Sequence, residues 1–250
     1  MSMTVYHGDP NGPSFTVLAA LFETGLDAAL VHIDLAKGQR HNLPCAQQPE
    51  VAMSVEGEGP VMVVDGEGMT DSVFIACYLD SVGGGKLCPK DPYARWEMMT
   101  WCRQLIERTA PAAAHLGLRA HPPAGDSAML AKIGSVDLRA RWQDAAAGLN
   151  AEDRLADSRM KIAQAVNKIE AQLDGREWLM GEFSIADLES YAWLAGMVEL
   201  VPSAFAERPR TADWMHRVRI RPAVAKTLSL AREAAPAAHW APGPEINRWG

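Results

Sequence analysis

Two serines stand where predicted helices begin, and that pairing of residue type and position suits the holding of an anion. Ser14 precedes a run whose apolar residues Phe15, Leu18, Leu21 and Phe22 share one helical face, and Asp71-Ser72 opens a second run through Val73, Phe74, Ile75, Tyr78, Leu79 and Val82. The first N–H groups of a helix have no partner within it, and the positive end of its dipole lies there. A hydroxyl at such a point can close the helix as an N-cap or help to receive a negatively charged ligand. Both readings stand for Ser14 and for Asp71-Ser72. Ser184 and Asp187, three residues apart before another apolar run, read instead as a capping box, a structural device. The four cysteines, Cys45, Cys77, Cys88 and Cys102, match neither a zinc-knuckle spacing nor a redox pair, so reduced thiols and no bound metal are expected.

The elements that must position these residues fall into two halves. In the first, Thr4-Val5-Tyr6 reads as a strand, residues 14–24 as a helix capped by Gly25, residues 28–34 as a second strand and Pro60–Val64 as a third. Asp65-Gly66 then turns the chain back toward Met69-Thr70 before the helix at Asp71. This β-α-β, irregular stretch, β-β-α order is that of a small thioredoxin-like domain. The stretch Gly83-Gly84-Gly85-Lys86 to Pro92 reads as a linker. Beyond it every periodic segment is helical: 93–110, 152–174, 184–199, 211–219 and 222–233, with a long excursion over 117–151 expected to be partly helical itself. All eight tryptophans lie at or after Trp96, which fits two halves of different construction. The expected division is residues 1–83, a linker at 84–93, and residues 94–250.

Composition narrows the partners. Lys plus Arg number 24 against 31 Asp plus Glu, a formal charge of −7, which disfavours nucleic acid as a partner. With 48% hydrophobic residues and no apolar run near the ~20 residues of a membrane span, a globular cytoplasmic chain is expected. The N-terminus shows no basic region leading into an apolar one, so no signal peptide is expected.

Four patterns together resemble the cytosolic glutathione transferases: Gly59-Pro60-Val61 before the third strand, Thr70-Asp71-Ser72, Ser184-Ile185-Ala186-Asp187-Leu188, and Arg221-Pro222-Ala223-Val224. The resemblance implies a thioredoxin-like glutathione-binding domain followed by an all-helical domain, an α/β plus all-α chain. Within that superfamily the chain is most similar to the bacterial transferases that cleave β-aryl ethers of lignin, the β-etherases. That similarity rests on Tyr6, Pro10 and Ser14, on Leu18–Glu23, and on Asp91-Pro92-Tyr93 with Arg95, Glu97-Met98 and Trp101.

The resemblance implies roles as well. Ser14, helped by Asn11, would hold the thiolate of glutathione, the cosubstrate. Ser72 and the amides beside it would receive the γ-glutamyl carboxylate, and Asp71 the α-ammonium. Gly59 and Pro60 would present backbone groups to the cysteinyl part, and Arg40 and His41 would meet the glycyl carboxylate. Trp101, Leu105, Arg108 and His115 would wall a site for a small aromatic ether, although tryptophans at helical spacing also serve as core. The thiolate would displace a phenolate, without metal. No cysteine lies between residues 4 and 20, which disfavours mixed-disulfide catalysis. Pro13 replaces the Asn or Thr that the family sets before its serine, Gly59 replaces an aliphatic residue, and Asp71 is one methylene shorter than the usual Glu. These departures motivate an alternative: a weakly active subunit, paired as a heterodimer with a related transferase rather than as a homodimer.

Overall fold

The computed structural model describes residues 2–52, 54, 59–120, 128, 131, 133, 136–147 and 152–232. Its N-terminal part contains β1 (Met3–His7), α1 (Gly12–Thr24), β2 (Ala29–His32), two 3₁₀ turns (Leu35–Lys37 and Gln39–Asn42), α2 (Pro49–Ala52), β3 (Val61–Val64), β4 (Glu67–Met69) and α3 (Ser72–Val82). The strands form one sheet in the order β2-β1-β3-β4. β1 runs parallel to β2, with Val5 opposite Leu30, and antiparallel to β3, with Val5 opposite Met62. Alternation along β1 buries Met3, Val5 and His7 on one face, and α1 and α3 pack together as neighbours. Helix α1 is buried on nearly every side, from Gly12 to Leu21, because it also meets helices of the second half. Gly25 ends it in the left-handed region (φ +69°), donating its N–H to the Phe22 carbonyl, a conformation that suits glycine.

The remainder is helical: α4 (Pro92–Gln104), a π-helical turn (Leu105–Thr109), α5 (Ala110–Ala120), α6 (Val136–Ala146), α7 (Glu152–Gln172), α8 (Ile185–Leu194), α9 (Met197–Leu200), α10 (Pro202–Phe205), α11 (Pro209–Arg219) and α12 (Pro222–Leu228). Every residue of α8 is buried, so this short helix is the axis around which the others pack. One hydrophobic core runs through both halves, joining Val5, Phe15, Ile75 and Leu79 to Trp101, Ile162, Trp193 and Trp214. Among the described residues no helix is long and apolar enough to cross a membrane.

Several boundaries differ from the periodicity. The second strand stops at His32 rather than residue 34, because Asp34 turns to accept the Lys37 N–H (3.1 Å) and starts a 3₁₀ turn. The segment 184–199 breaks after Leu194 near Gly196, and 222–233 ends at Leu228. The excursion over 117–151 contains the end of α5 and all of α6, and most of the rest of it lies outside the described residues, as do Trp240 and Trp249.

Candidate active site

The loop between β1 and α1 is built from the strand end outward. His7, 4% exposed, donates its Nδ1–H to the Gly8 carbonyl at 2.7 Å, and burial lowers its pKa although this bond works the other way. Gly8 in turn donates its N–H to Ser14 Oγ at 3.0 Å. A Cβ at Gly8 would lie 2.7 Å from Leu35 Cδ1, so any larger residue there would have to displace the Leu35 side chain. His32 packs edge-on against His7 and lies 3.4 Å from Asp9, which also accepts the Arg232 N–H.

Ser14 therefore sits differently from its expected place. It is not an N-cap. The helix starts two residues earlier, at Gly12, because Pro13 has the fixed φ that suits a first turn. Asn11 is the capping residue, in extended conformation, and makes no side-chain cap bond. Ser14 lies inside the first turn, 1% exposed, with its oxygen already accepting from Gly8.

The start of α3 shows the same theme. Asp71 has φ +66°, a left-handed conformation that strains a non-glycine residue and is sustained by its surroundings. Ser54 donates to Asp71 Oδ1 at 2.9 Å, and Thr70 donates to the Glu50 carbonyl at 3.0 Å, so the chain before α3 is tied to the α2 region. Ile75 donates the first helical bond to Asp71, so the amides of Ser72, Val73 and Phe74 stand in the first turn, ahead of that bond. The Ser72 hydroxyl, expected to face a ligand carboxylate, instead donates to Glu189 Oε2 at 3.2 Å and is fully buried.

Glu189 is the residue that the sequence reading missed. It lies on α8, wholly buried, and accepts from Thr16 of α1 (2.7 Å), from Ser72 of α3, and from the Trp193 indole N–H (2.6 Å). Three donors converge on one carboxylate, while burial pushes its pKa up. The available signal was a charge inside the otherwise apolar run from Ile185 to Leu194. Through Glu189, the two helices that carry Ser14 and Ser72 are fastened to each other and to the helical half.

Arg40 is also an internal tie. It is 3% exposed, and its Nε and Nη2 donate to the carbonyls of Gly59 (3.0 Å) and Val51 (2.9 Å). Gly59 and Pro60 are buried at the entry to β3, and His41 is half-buried on the second 3₁₀ turn. The structure thus groups Asn11 with Ser14, and Arg40 with Gly59, while Asp71 and Ser72 share the start of α3.

Trp101, Leu105 and Arg108 come together in a hollow of about 110 Å³ between α4 and α7, opposite Ala165 and Lys168. The Lys168 ammonium lies 4.1 Å above the Trp101 ring, and burial together with the Arg108 charge lowers its pKa. The Trp101 indole N–H donates to Ser190, the neighbour of Glu189. Most of the hollow's α4-side lining comes from the π-helical turn and the residues just before it; such turns widen a helix locally and are frequent at functional sites. His115 is buried on α5 and does not line this hollow. Ser184 and Asp187 form the expected capping box.

Comparison with known proteins agrees with this architecture. Residues 139–222 match the family model of the glutathione S-transferase C-terminal domain. Protein LigF of Sphingobium sp. strain SYK-6 is 24% identical over 256 residues, covering 93% of this chain and 95% of that protein. The crystal structure of β-etherase LigF superposes with a TM-score of 0.79 at 23% identity, covering 92% of this chain and 100% of that one. A glutathione transferase from Pseudomonas fluorescens, solved with two glutathione molecules bound, gives a TM-score of 0.66 at 19% identity over 91% of this chain and 92% of that one. Glutathione transferase F7 of Populus trichocarpa gives 0.66 at 22% identity, over 91% and 98%. Residues 139–222 thus carry the glutathione S-transferase C-terminal domain, and over nine-tenths of its length the chain has the fold of the glutathione transferases.

Proposed function

We propose that the chain is a glutathione transferase of the β-etherase type, acting on a β-aryl ether as a dimer subunit. The observation that carries the reading is the fastening of the α1 and α3 starts to the single carboxylate of Glu189. That joint ties the starts of α1 and α3, which carry Ser14 and Ser72, to one side chain, which supports a shared role for their first-turn amides. Such amides and the positive dipole ends favour a thiolate at one and a carboxylate at the other. A thiol with a pKa near ~8.5 becomes a useful nucleophile at neutral pH when its anion is favoured in this way. In the reaction the thiolate sulfur forms a bond to the ether-bearing carbon beside a ketone. The C–O bond breaks with its electron pair, and phenolate leaves, with glutathione held as a thioether. The protein's part is to orient the thiolate and to receive charge on the departing oxygen.

The test is thioether and phenol formation by the purified chain, given glutathione and a ketone-bearing β-aryl ether, with calorimetric titration of glutathione beside it. Binding with equal release of phenol and thioether is expected. A specific observation keeps a second reading, that of a subunit whose partner carries the chemistry. Ser14 is buried with its oxygen engaged, and Ser72 is turned onto Glu189. Under that reading the chain alone gives neither binding nor turnover, and co-expression with a related transferase restores both.

A further inference from the structure

Cys77 and Cys88 are eleven residues apart in sequence, and the fold sets their sulfurs 3.9 Å from each other. Cys77 lies on α3 and is half-buried. Cys88 lies in the connection to α4 and is 8% exposed. The connection is fixed by Asp80, whose carboxylate accepts from the backbone N–H groups of Lys86 (2.6 Å), Leu87 (2.7 Å) and Cys88 (3.1 Å). The Cys88 S–H donates toward Cys77, and Cys77 lies 3.8 Å from Met99 Sδ, so the thiols form a short chain directed from the buried sulfur to the more exposed one.

We propose that Cys77 and Cys88 are a reactive dithiol that reduces a small disulfide of the glutathione disulfide type and closes into an intramolecular disulfide. The Cys77 thiolate attacks one sulfur of the small disulfide, and a glutathione thiolate leaves, forming a mixed disulfide at Cys77. Cys88 then gives its proton to that thiolate and attacks the Cys77 sulfur, expelling the second glutathione. One small disulfide and two protein thiols thus become one protein disulfide and two glutathione thiols. The S–S bond of ~2.05 Å needs the sulfurs to close by roughly 1.9 Å, which side-chain rotation supplies more readily than backbone movement. The order of attack follows from the surroundings. The Cys88 S–H bond, with Arg95 assisting, holds the Cys77 thiol below its ordinary pKa against burial and the Asp80 charge, which makes Cys77 the first nucleophile. Cys88 is held high chiefly by its bond to Cys77, and that restraint vanishes once the Cys77 sulfur is in the mixed disulfide. Cys102 is buried and held high, and Cys45 is buried and raised, so both serve as internal controls.

The step does not depend on the proposed glutathione site or on ether cleavage, so it stands or falls by its own experiment. The full chain is incubated with excess glutathione disulfide, free thiols are alkylated, and peptides are mapped by mass spectrometry. Loss of two of the four thiols with a Cys77–Cys88 cross-link is expected, together with fastest alkylation of Cys77 in the reduced protein. Cys88→Ser should hold a stable glutathione adduct at Cys77, and Cys77→Ser should leave Cys88 unmodified. Retention of all four thiols, a stable adduct at Cys77 in the unaltered chain, or a cross-link through another cysteine would overturn the proposal.

Discussion

A single carboxylate ties the two helix starts together. Glu189 accepts hydrogen bonds from Thr16, Ser72 and Trp193, and none of these groups reaches solvent in exchange, since Thr16, Ser72 and Trp193 are all 0% exposed. Glu189→Ala strands those donors, and a buried donor left unpaired costs about 1–3 kcal/mol. A loss of about 2–4 kcal/mol, read by denaturant unfolding, is therefore expected, with weaker glutathione binding. Glu189→Gln keeps an acceptor for the indole and lets both hydroxyls rotate to accept from the amide, so most of the stability should remain. Equal destabilisation by the two variants would mean that charge, not hydrogen-bond geometry, is what holds the joint. A second residue-scale prediction concerns Asp71, whose φ of +66° suits glycine. Asp71→Gly should leave the melting temperature unchanged or raise it slightly, because relief of strain offsets the lost Ser54 bond. The same variant should weaken glutathione binding if the carboxylate meets the ligand ammonium.

At the scale of elements, α8 carries the clearest pH dependence. Asp187 returns the cap to the Ser184 N–H (3.0 Å) and also accepts from the Leu179 N–H (3.0 Å) and the Trp214 indole (2.9 Å). Burial nonetheless pushes its pKa from 3.8 to about 6. The folded chain thus binds a proton here more tightly than the unfolded chain does. The resulting stability is fully present below about pH 4 and is lost as pH rises through 6, amounting to about 3 kcal/mol at most. Asp187→Asn removes the titration, so the stability of the unaltered chain relative to this variant should fall between pH 4 and pH 7. A pH-independent difference would refute the assignment. Ser184→Ala should cost about 1 kcal/mol, and more above pH 6 than below pH 4, because the hydroxyl also donates to the Asp187 carboxylate at 3.2 Å. This capping box was legible in the sequence because both partners are three residues apart and local, and so was the β-α-β-β-α order, which rests on period and turn residues. What was not legible is non-local. Ser72 was correctly placed at a helix start, yet its hydroxyl is directed by a glutamate 117 residues away. Arg40 was expected to meet the glycyl carboxylate, whereas its guanidinium donates to two carbonyls of the chain before β3. Cys77 and Cys88 looked unrelated because the turn that joins them is set by Asp80 and not by a spacing rule.

The whole molecule turns on how tightly its two halves unfold together. Arg221, at the start of α12, meets Glu23 at the end of α1 through two parallel bonds of 2.7 and 2.9 Å, and its guanidinium lies 3.6 Å from the centre of the Phe183 ring. The pair is largely shielded, at 29% and 13% side-chain exposure, so it is worth more than a surface ion pair, though breaking it leaves Glu23 half-buried without its cation. It is not the only joint, because the hydrophobic core and Glu189 also span both halves. Arg221→Ala should therefore cost about 1–2 kcal/mol and lower the melting temperature by about 2–8 °C without dividing the transition. The tryptophan distribution supplies the measurement. With none before Trp96, indole fluorescence reports only the helical half, whereas far-ultraviolet circular dichroism reports both. In the unaltered chain the two signals should melt at one temperature, and in Arg221→Ala they should shift together. If dichroism begins to fall several degrees before fluorescence in the variant, the thioredoxin-like half unfolds on its own, and Arg221 rather than the shared core is what makes the molecule one cooperative unit.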